Sequence, residues 1–260
     1  MGVMIMCLVN LQWKTHQQYK LILAANRDEF YARPTTQAHF WEDKPFILAG
    51  RDLLGMGTWL GITKQGRFAT LTNIRHPGEQ TDGKKSRGDI LSNYLSSDIT
   101  PERFLEQLVY EKDRYLGFNL LLGTPDHLYY FNNQQGRIET VNHGTHGLSN
   151  HYLNTAWPKV VKGNQMLESV AKNHDVINPD TLFNILAHSE EAGTDELPDT
   201  GVGLELEKKL SPLFIKTPDY GTRSSTVLLV DYNNHVHYFE RTYKNGNFHG
   251  EVNYDFEIER

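Results

Sequence analysis

Apolar and polar residues alternate in short runs through the first third of the chain, as in half-buried strands. The runs CLVNLQW (7–13) and YKLILAA (19–25) predict two strands joined as a hairpin by the polar stretch THQQ. PFILAG (45–50), GTWLGIT (57–63) and GRFATLTN (66–73) predict three more, bounded by Gly, Asp or Lys-Gln turns. A polar loop, HPGEQTDGKK (76–85), leads to two helices. The first is predicted over about 88–94. The second has Thr100 as N-cap and Pro101 in the first helical position, with apolar Phe104, Leu105, Leu108 and Val109 behind them. Strands resume at GFNLLLG (117–123), HLYYFN (127–132) and RIETVN (137–142). Helices are predicted over 157–170, 179–188 and 203–210, and strands over 224–232, 235–243 and 248–258.

This order, strand blocks separated by helix blocks, predicts an α+β fold. Two mainly antiparallel sheets pack together, with helices on both outer faces, giving a four-layer αββα sandwich. Strands and helices do not alternate singly and no G-x-G-x-x-G opens a helix, so a doubly wound nucleotide-binding fold does not fit. Residues 7–260 read as one domain, with 1–6 as an N-terminal extension absent or removed in the mature protein. Two separate small α+β domains are the weaker competitor.

Composition narrows the classes. The 260 residues are 38% hydrophobic and 22% charged, enough apolar material for a sizeable core. A formal charge of −6 gives no basic surplus for nucleic acid. The single cysteine allows neither an intramolecular disulfide nor a Cys₄ or Cys₂His₂ zinc site. No run approaches the ~18 apolar residues of a membrane-spanning helix. The opening MGVMIM lacks the basic start of a secretory signal, and Met6 stands where a myristoylation signal has Ser or Thr. A reduced, cytoplasmic location is expected, with the oligomeric state left open.

That lone thiol, Cys7, directly follows a methionine. As an N-terminal residue it would carry its own base, because an α-amine titrates near ~7.7–8.0. Initiation at Met6 followed by methionine removal would expose it. With six residues in front, the amine is locked in a peptide bond. The run Asn-Arg-Asp-Glu (26–29) ends the second strand, and Arg27 across the hairpin would favour the thiolate. Asp28 or Glu29 could hold that arginine or accept from a protonated amine. A surface turn with a satisfied Arg–Asp pair is the alternative for this run, and an ordinary buried residue is the alternative for Cys7.

The tetrapeptide NRDE (26–29) is joined in order by AHFW (38–41), LAGRDL (48–53), GTWLG (57–61), LTN (71–73), SRG (86–88), GFNLL (117–121), HGLSN (146–150) and YGTRSSTV (220–227). Together these resemble the NRDE, or transport and Golgi organisation 2-like, family over nearly the whole chain. That family begins Met-Cys, matching Met6-Cys7, and the preceding MGVMI is a departure from it. It is in turn similar to N-terminal-nucleophile hydrolases of the penicillin V acylase and bile-salt hydrolase type, which have an αββα sandwich. The resemblance implies Cys7 as nucleophile, Arg27 beside it, and Asp28 as the nearest catalytic aspartate. It implies Asn73 in the oxyanion hole, Asn150 as a second orienting asparagine and Arg223 as a second arginine. The turn reading of both asparagines stands beside it.

The implied activity is acyl transfer from an amide or thioester, without an external cofactor. Paired arginines suit an anionic small molecule. The rival implied by the family is a non-catalytic carrier of haem or an acyl lipid, with haem as its candidate ligand. A redox sensor fits less well, because there is no resolving cysteine. Twelve histidines, among them His143, His146, His151, His235 and His237, match no ligand signature, so no metal site is expected. Lys84, Lys85 and Arg87 before a helix start could meet an anion, or form a solvated loop. Trp41, Trp59 and Trp157 read as core or pocket wall.

Overall fold

The computed structural model describes residues 6–75, 78 and 82–259. The extension before Met6 and part of the loop 76–85 lie outside the described residues. Six strands come first: β1 (Met6–Trp13), β2 (Tyr19–Phe30), β3 (Thr35–Phe40), β4 (Ile47–Asp52), β5 (Leu60–Thr63) and β6 (Phe68–Asn73). Helices α1 (Gly88–Leu95) and α2 (Pro101–Glu111) follow. Then come β7 (Phe118–Gly123), β8 (Leu128–Asn132), β9 (Arg137–Thr140) and β10 (Gly144–Leu148). The chain continues through α3 (Pro158–Asn173), α4 (Pro179–Leu186) and α5 (Leu204–Lys209). It closes with β11 (Tyr220–Asp231), β12 (His235–Lys244) and β13 (Asn247–Glu257).

The strands form two antiparallel sheets. One has six strands in the order β10-β1-β2-β11-β12-β13, the other seven in the order β3 to β9. Leu11, Leu23, Leu121, Leu228 and Tyr238 belong to the apolar layer between them. Helices α1 and α2 cover the outer face of the seven-stranded sheet through Leu91, Tyr94, Leu105 and Leu108. Helices α3 and α4 cover the six-stranded sheet through Val160, Leu167, Leu182 and Phe183. The predicted αββα sandwich is therefore the observed architecture. Thr100 caps α2 through its side chain, and Pro101 starts it, as the sequence suggests.

Three features differ from the sequence reading. Strand β2 does not end at Ala25 but runs on through Asn26, Arg27, Asp28 and Glu29, all of them buried. The surface-turn reading fails because β1 and β11 pair with this stretch on both sides, and Asn26, Arg27 and Glu29 find polar partners while one Asp28 oxygen does not. Strand β3, TTQAHF, adds only Ala38 and Phe40 to the apolar layer and lies at a sheet edge with an irregular register. Strand β10, GTHGL, is glycine-rich and pairs only with β1.

Candidate active site

Period two along β1 and β2 decides which groups share a space with Cys7. Val9, Leu11 and Trp13 point between the sheets, so Cys7 points there too. On β2, Leu21, Leu23 and Ala25 point between the sheets, while Ile22 and Ala24 face the helices. The same alternation puts Arg27 and Glu29 beside Cys7, and Asn26 and Asp28 behind the sheet. Cys7 and Arg27 are direct cross-strand partners, as the hairpin predicts.

A cleft of about 480 Å³ opens where the apolar layer ends, lined by Cys7, Arg27, Glu29, Asp52, Trp59 and Asn73. Arg27 is nearly fully buried and lies 3.6 Å from Glu29 and 3.4 Å from Asp52. It also donates to Thr35 at 3.1 Å, and its guanidinium stacks 4.1 Å from the Trp59 ring centroid. A Cβ on Gly50 would stand 2.3 Å from that ring, so only glycine lets Trp59 take this position. Arg33 pairs with Asp52 and sits 3.6 Å from Glu29, closing a cluster of two cations and two carboxylates. Backbone N–H groups of Leu54 and Gly55 donate to Asp52 at 3.0 and 2.7 Å. Burial pushes the Asp52 carboxyl up, but Arg33, the Gly55 N–H and Arg27 outweigh it and hold the carboxyl below its usual range.

Asp28 occupies different surroundings. It is completely buried, Thr222 donates to its Oδ1 at 2.7 Å, and its Oδ2 has no hydrogen-bond partner. The nearby cation is Lys159 of α3, itself buried, with Nζ donating to the Leu210 carbonyl at 3.3 Å. Burial pushes the Asp28 carboxyl up and the Lys159 amine down, and the attraction between the two charges opposes both shifts. The carboxylate that lines the cleft is thus Glu29, with Asp52. Asp28 lies on the opposite face of the strand.

With Met6 ahead of it, the Cys7 thiol is pushed up to about 12. Burial is the chief cause and the Asp28 carboxylate the next, only partly opposed by the Asp28 backbone N–H and Arg27. Arg27 favours the thiolate as expected, but burial wins. Among the described residues that line the cleft there is no histidine.

Asn73 ends β6 inside the cleft, and Asn150 Nδ2 donates to its carbonyl at 2.9 Å. Asn150 is fully buried and so supports Asn73 from behind. Ser149, which the sequence reading missed, donates through Oγ to the Cys7 carbonyl at 2.9 Å and lies 3.1 Å from Asn150 Oδ1. It ties β1 to the Asn73–Asn150 pair. Arg223 does not enter the cleft. It donates to the carbonyls of Phe30, Tyr31 and Arg33 at 2.8 to 3.1 Å, fastening the turn after β2, and lines a neighbouring cleft. Lys84, Lys85 and Arg87 do line the Cys7 cleft, beside the start of α1. His146 and His151 lie outside it, bonded to Asn142 and Thr155. Trp41 is core and Trp157 packs beneath α3, whereas Trp59 is cleft wall.

Chemically the arrangement offers a buried thiol, a strand-end asparagine and a basic rim. The family described as Transport and Golgi organisation 2 matches residues 6–245, a span that begins one residue before Cys7. The Transport and Golgi organization 2 homolog of Mus musculus is 35% identical over 243 residues, covering 86% of this chain and 87% of the relative. Transport and Golgi organization protein 2 of Drosophila melanogaster is 29% identical over 263 residues, covering 90% of both. Among solved structures, a mutant conjugated bile acid hydrolase from Clostridium perfringens superposes with a TM-score of 0.50. The superposition covers 98% of this chain and 97% of that one at 11% identity, a likeness of fold.

Proposed function

Since this chain belongs to the Transport and Golgi organisation 2 family and has the N-terminal-nucleophile hydrolase fold, we propose that it is a cysteine hydrolase acting on an amide or thioester. The observation that carries the reading is the placement of Cys7 and Asn73 in one cleft, with an unpartnered Asp28 oxygen buried behind it. A buried carboxylate oxygen without a partner is costly. The α-amine of a chain beginning at Cys7 would satisfy it by donating an N–H. Met6 pairs with Asp28 across the strands, so the new terminus would form beside that residue.

In that chain the α-amine takes the thiol proton and the Cys7 sulfur attacks the substrate carbonyl. Asn73 donates to the developing oxyanion, and Asn150 and Ser149 position Asn73. The protonated amine gives its proton to the leaving amine or thiol. Water then cleaves the acyl-enzyme thioester, releasing a carboxylic acid and restoring the thiol. Arg33, Lys84, Lys85 and Arg87 at the cleft favour a substrate with a carboxylate or phosphate group. No step needs a cofactor.

One observation favours a second reading for the uncleaved chain. Its thiol is held protonated and its amine is in a peptide bond, so this form would bind an anionic ligand without cutting it.

The test compares the chain from Met1, the chain from Cys7, and Cys7→Ala on a panel of acyl amides and thioesters. Hydrolysis by the Cys7-initiated chain alone is expected. Activity that persists in Cys7→Ala would sink the hydrolase reading.

A further inference from the structure

Away from the cleft, at the free edge of the six-stranded sheet, β12 and β13 bring together a group that the sequence spacing does not reveal. His235 and His237 alternate on β12 with Val236 and Tyr238, which point into the layer between the sheets, so both imidazoles face outward. Asp255 on β13 is the direct cross-strand partner of His237. One Asp255 oxygen contacts His235 Nε2 and the other contacts His237 Nδ1. The two rings stack with centroids 4.6 Å apart. One nitrogen from each ring and a carboxylate oxygen all lie within 4.8 Å of one another. The Asp255 side chain is exposed and the two imidazoles are half-buried.

Charge also favours a cation here. Glu257 is the cross-strand partner of His235, and Asp231 lies at the start of the same hairpin, accepting from the His235 backbone N–H at 2.8 Å. Among the described residues, no lysine or arginine forms an ion pair with Asp231, Asp255 or Glu257. Three carboxylates therefore surround two stacked imidazoles, and a single divalent ion would offset their negative charge.

We propose that His235, His237 and Asp255 form a binding site for a divalent late first-row transition metal, Zn²⁺ being the reference ion. Two imidazole nitrogens and one carboxylate suit zinc and its neighbours, whereas Mg²⁺ and Ca²⁺ prefer all-oxygen sets. Three protein ligands on an exposed edge leave coordination positions for water or an outside group. The ion would also pin the edge strand β13 to β12. Asp255 lies beyond the 6–245 span of the family match, so the site is no consequence of that match.

The test uses the untagged full chain, stripped with a chelator. Zn²⁺ alone is titrated by calorimetry, and Co²⁺ is titrated with its absorption spectrum recorded. The expected result is one equivalent of Zn²⁺, no comparable binding of Mg²⁺, and a rise in melting temperature with added zinc. His237→Ala and Asp255→Asn should each weaken zinc at least about tenfold while their metal-free forms melt as the parent does. The cobalt spectrum should lack a thiolate charge-transfer band. Affinity unchanged in both variants, no saturable binding, or a thiolate band assigning the ion to Cys7 would each overturn the proposal.

Discussion

The two halves of strand β2 are equally buried and made of opposite materials. From Leu21 to Ala25 the side chains are apolar and pack against both neighbouring layers. From Asn26 to Glu29 they are polar or charged, and all have polar partners except for one Asp28 oxygen. Asn26 donates to the Leu186 and Leu213 carbonyls at 2.9 and 2.8 Å, and Arg27 sits among Glu29, Asp52, Thr35 and Trp59. The first half is stabilised by removing surface from water and depends on volume. The second gains little from burial itself and depends on every partner being present. Such a segment stands at the mouth of the cleft at a cost the apolar half does not bear.

The sharpest way to break this contrast is a pair of substitutions read by urea unfolding. Leu23→Ala should cost about 2–5 kcal/mol through the cavity it leaves. Arg27→Met should cost about 3–5 kcal/mol although it removes no volume to speak of, because Glu29 and Asp52 lose their buried cation. Adding Glu29→Gln to Arg27→Met should then recover part of the loss. A double variant as unstable as the two single losses added together would mean that the charges are not coupled.

Next comes a substitution that separates chemistry from stability. Asn73→Ala keeps the backbone carbonyl that Asn150 holds, and its melting temperature, measured beside its turnover, gives the stability part separately. On the hydrolase reading the turnover rate should fall by about 10²–10³ with KM little changed. A change confined to KM would make Asn73 a substrate contact instead.

A smaller effect tests the polar end two strands further on. Glu240 of β12 is fully buried, accepts from the Ala38 N–H at 2.7 Å, and is pushed up to about 7 by burial. Its usual value in an unfolded chain is near ~4.3. Between those values the folded state holds a proton that the unfolded state has released, so stability falls as pH rises through that window. Glu240→Gln should flatten this slope, leaving the variant relatively more stable at pH 8 than at pH 4 by on the order of 3 kcal/mol. Parallel pH profiles for parent and variant would contradict the assignment.

Much of this was legible in the chain. The β1–β2 hairpin, the α2 cap and the layer order follow from apolar period and turn chemistry, because those are local signals. The polar half of β2 was not, because what makes Arg27 tolerable is Asp52, far along the chain on the other sheet. The choice between Asp28 and Glu29 depended on strand continuity: once β2 extends past Ala25, period two sends Glu29 into the cleft and Asp28 behind it. Arg223 carries no mark in the sequence that distinguishes a turn fastener from a site charge. Ser149 sits inside the quoted stretch HGLSN, yet its bond to the Cys7 carbonyl exists only after β10 pairs with β1.

The central claim is that Cys7 becomes a terminal nucleophile in the cleft. Natively expressed, untagged protein should be mixed briefly with an activated acyl thioester bearing a carboxylate, and its intact mass and N-terminal peptide measured. The account predicts a chain that begins at Cys7 and carries one acyl group on that residue. A chain that still begins at Met1 or Gly2, or acylation that leaves Cys7 unmodified, would contradict it.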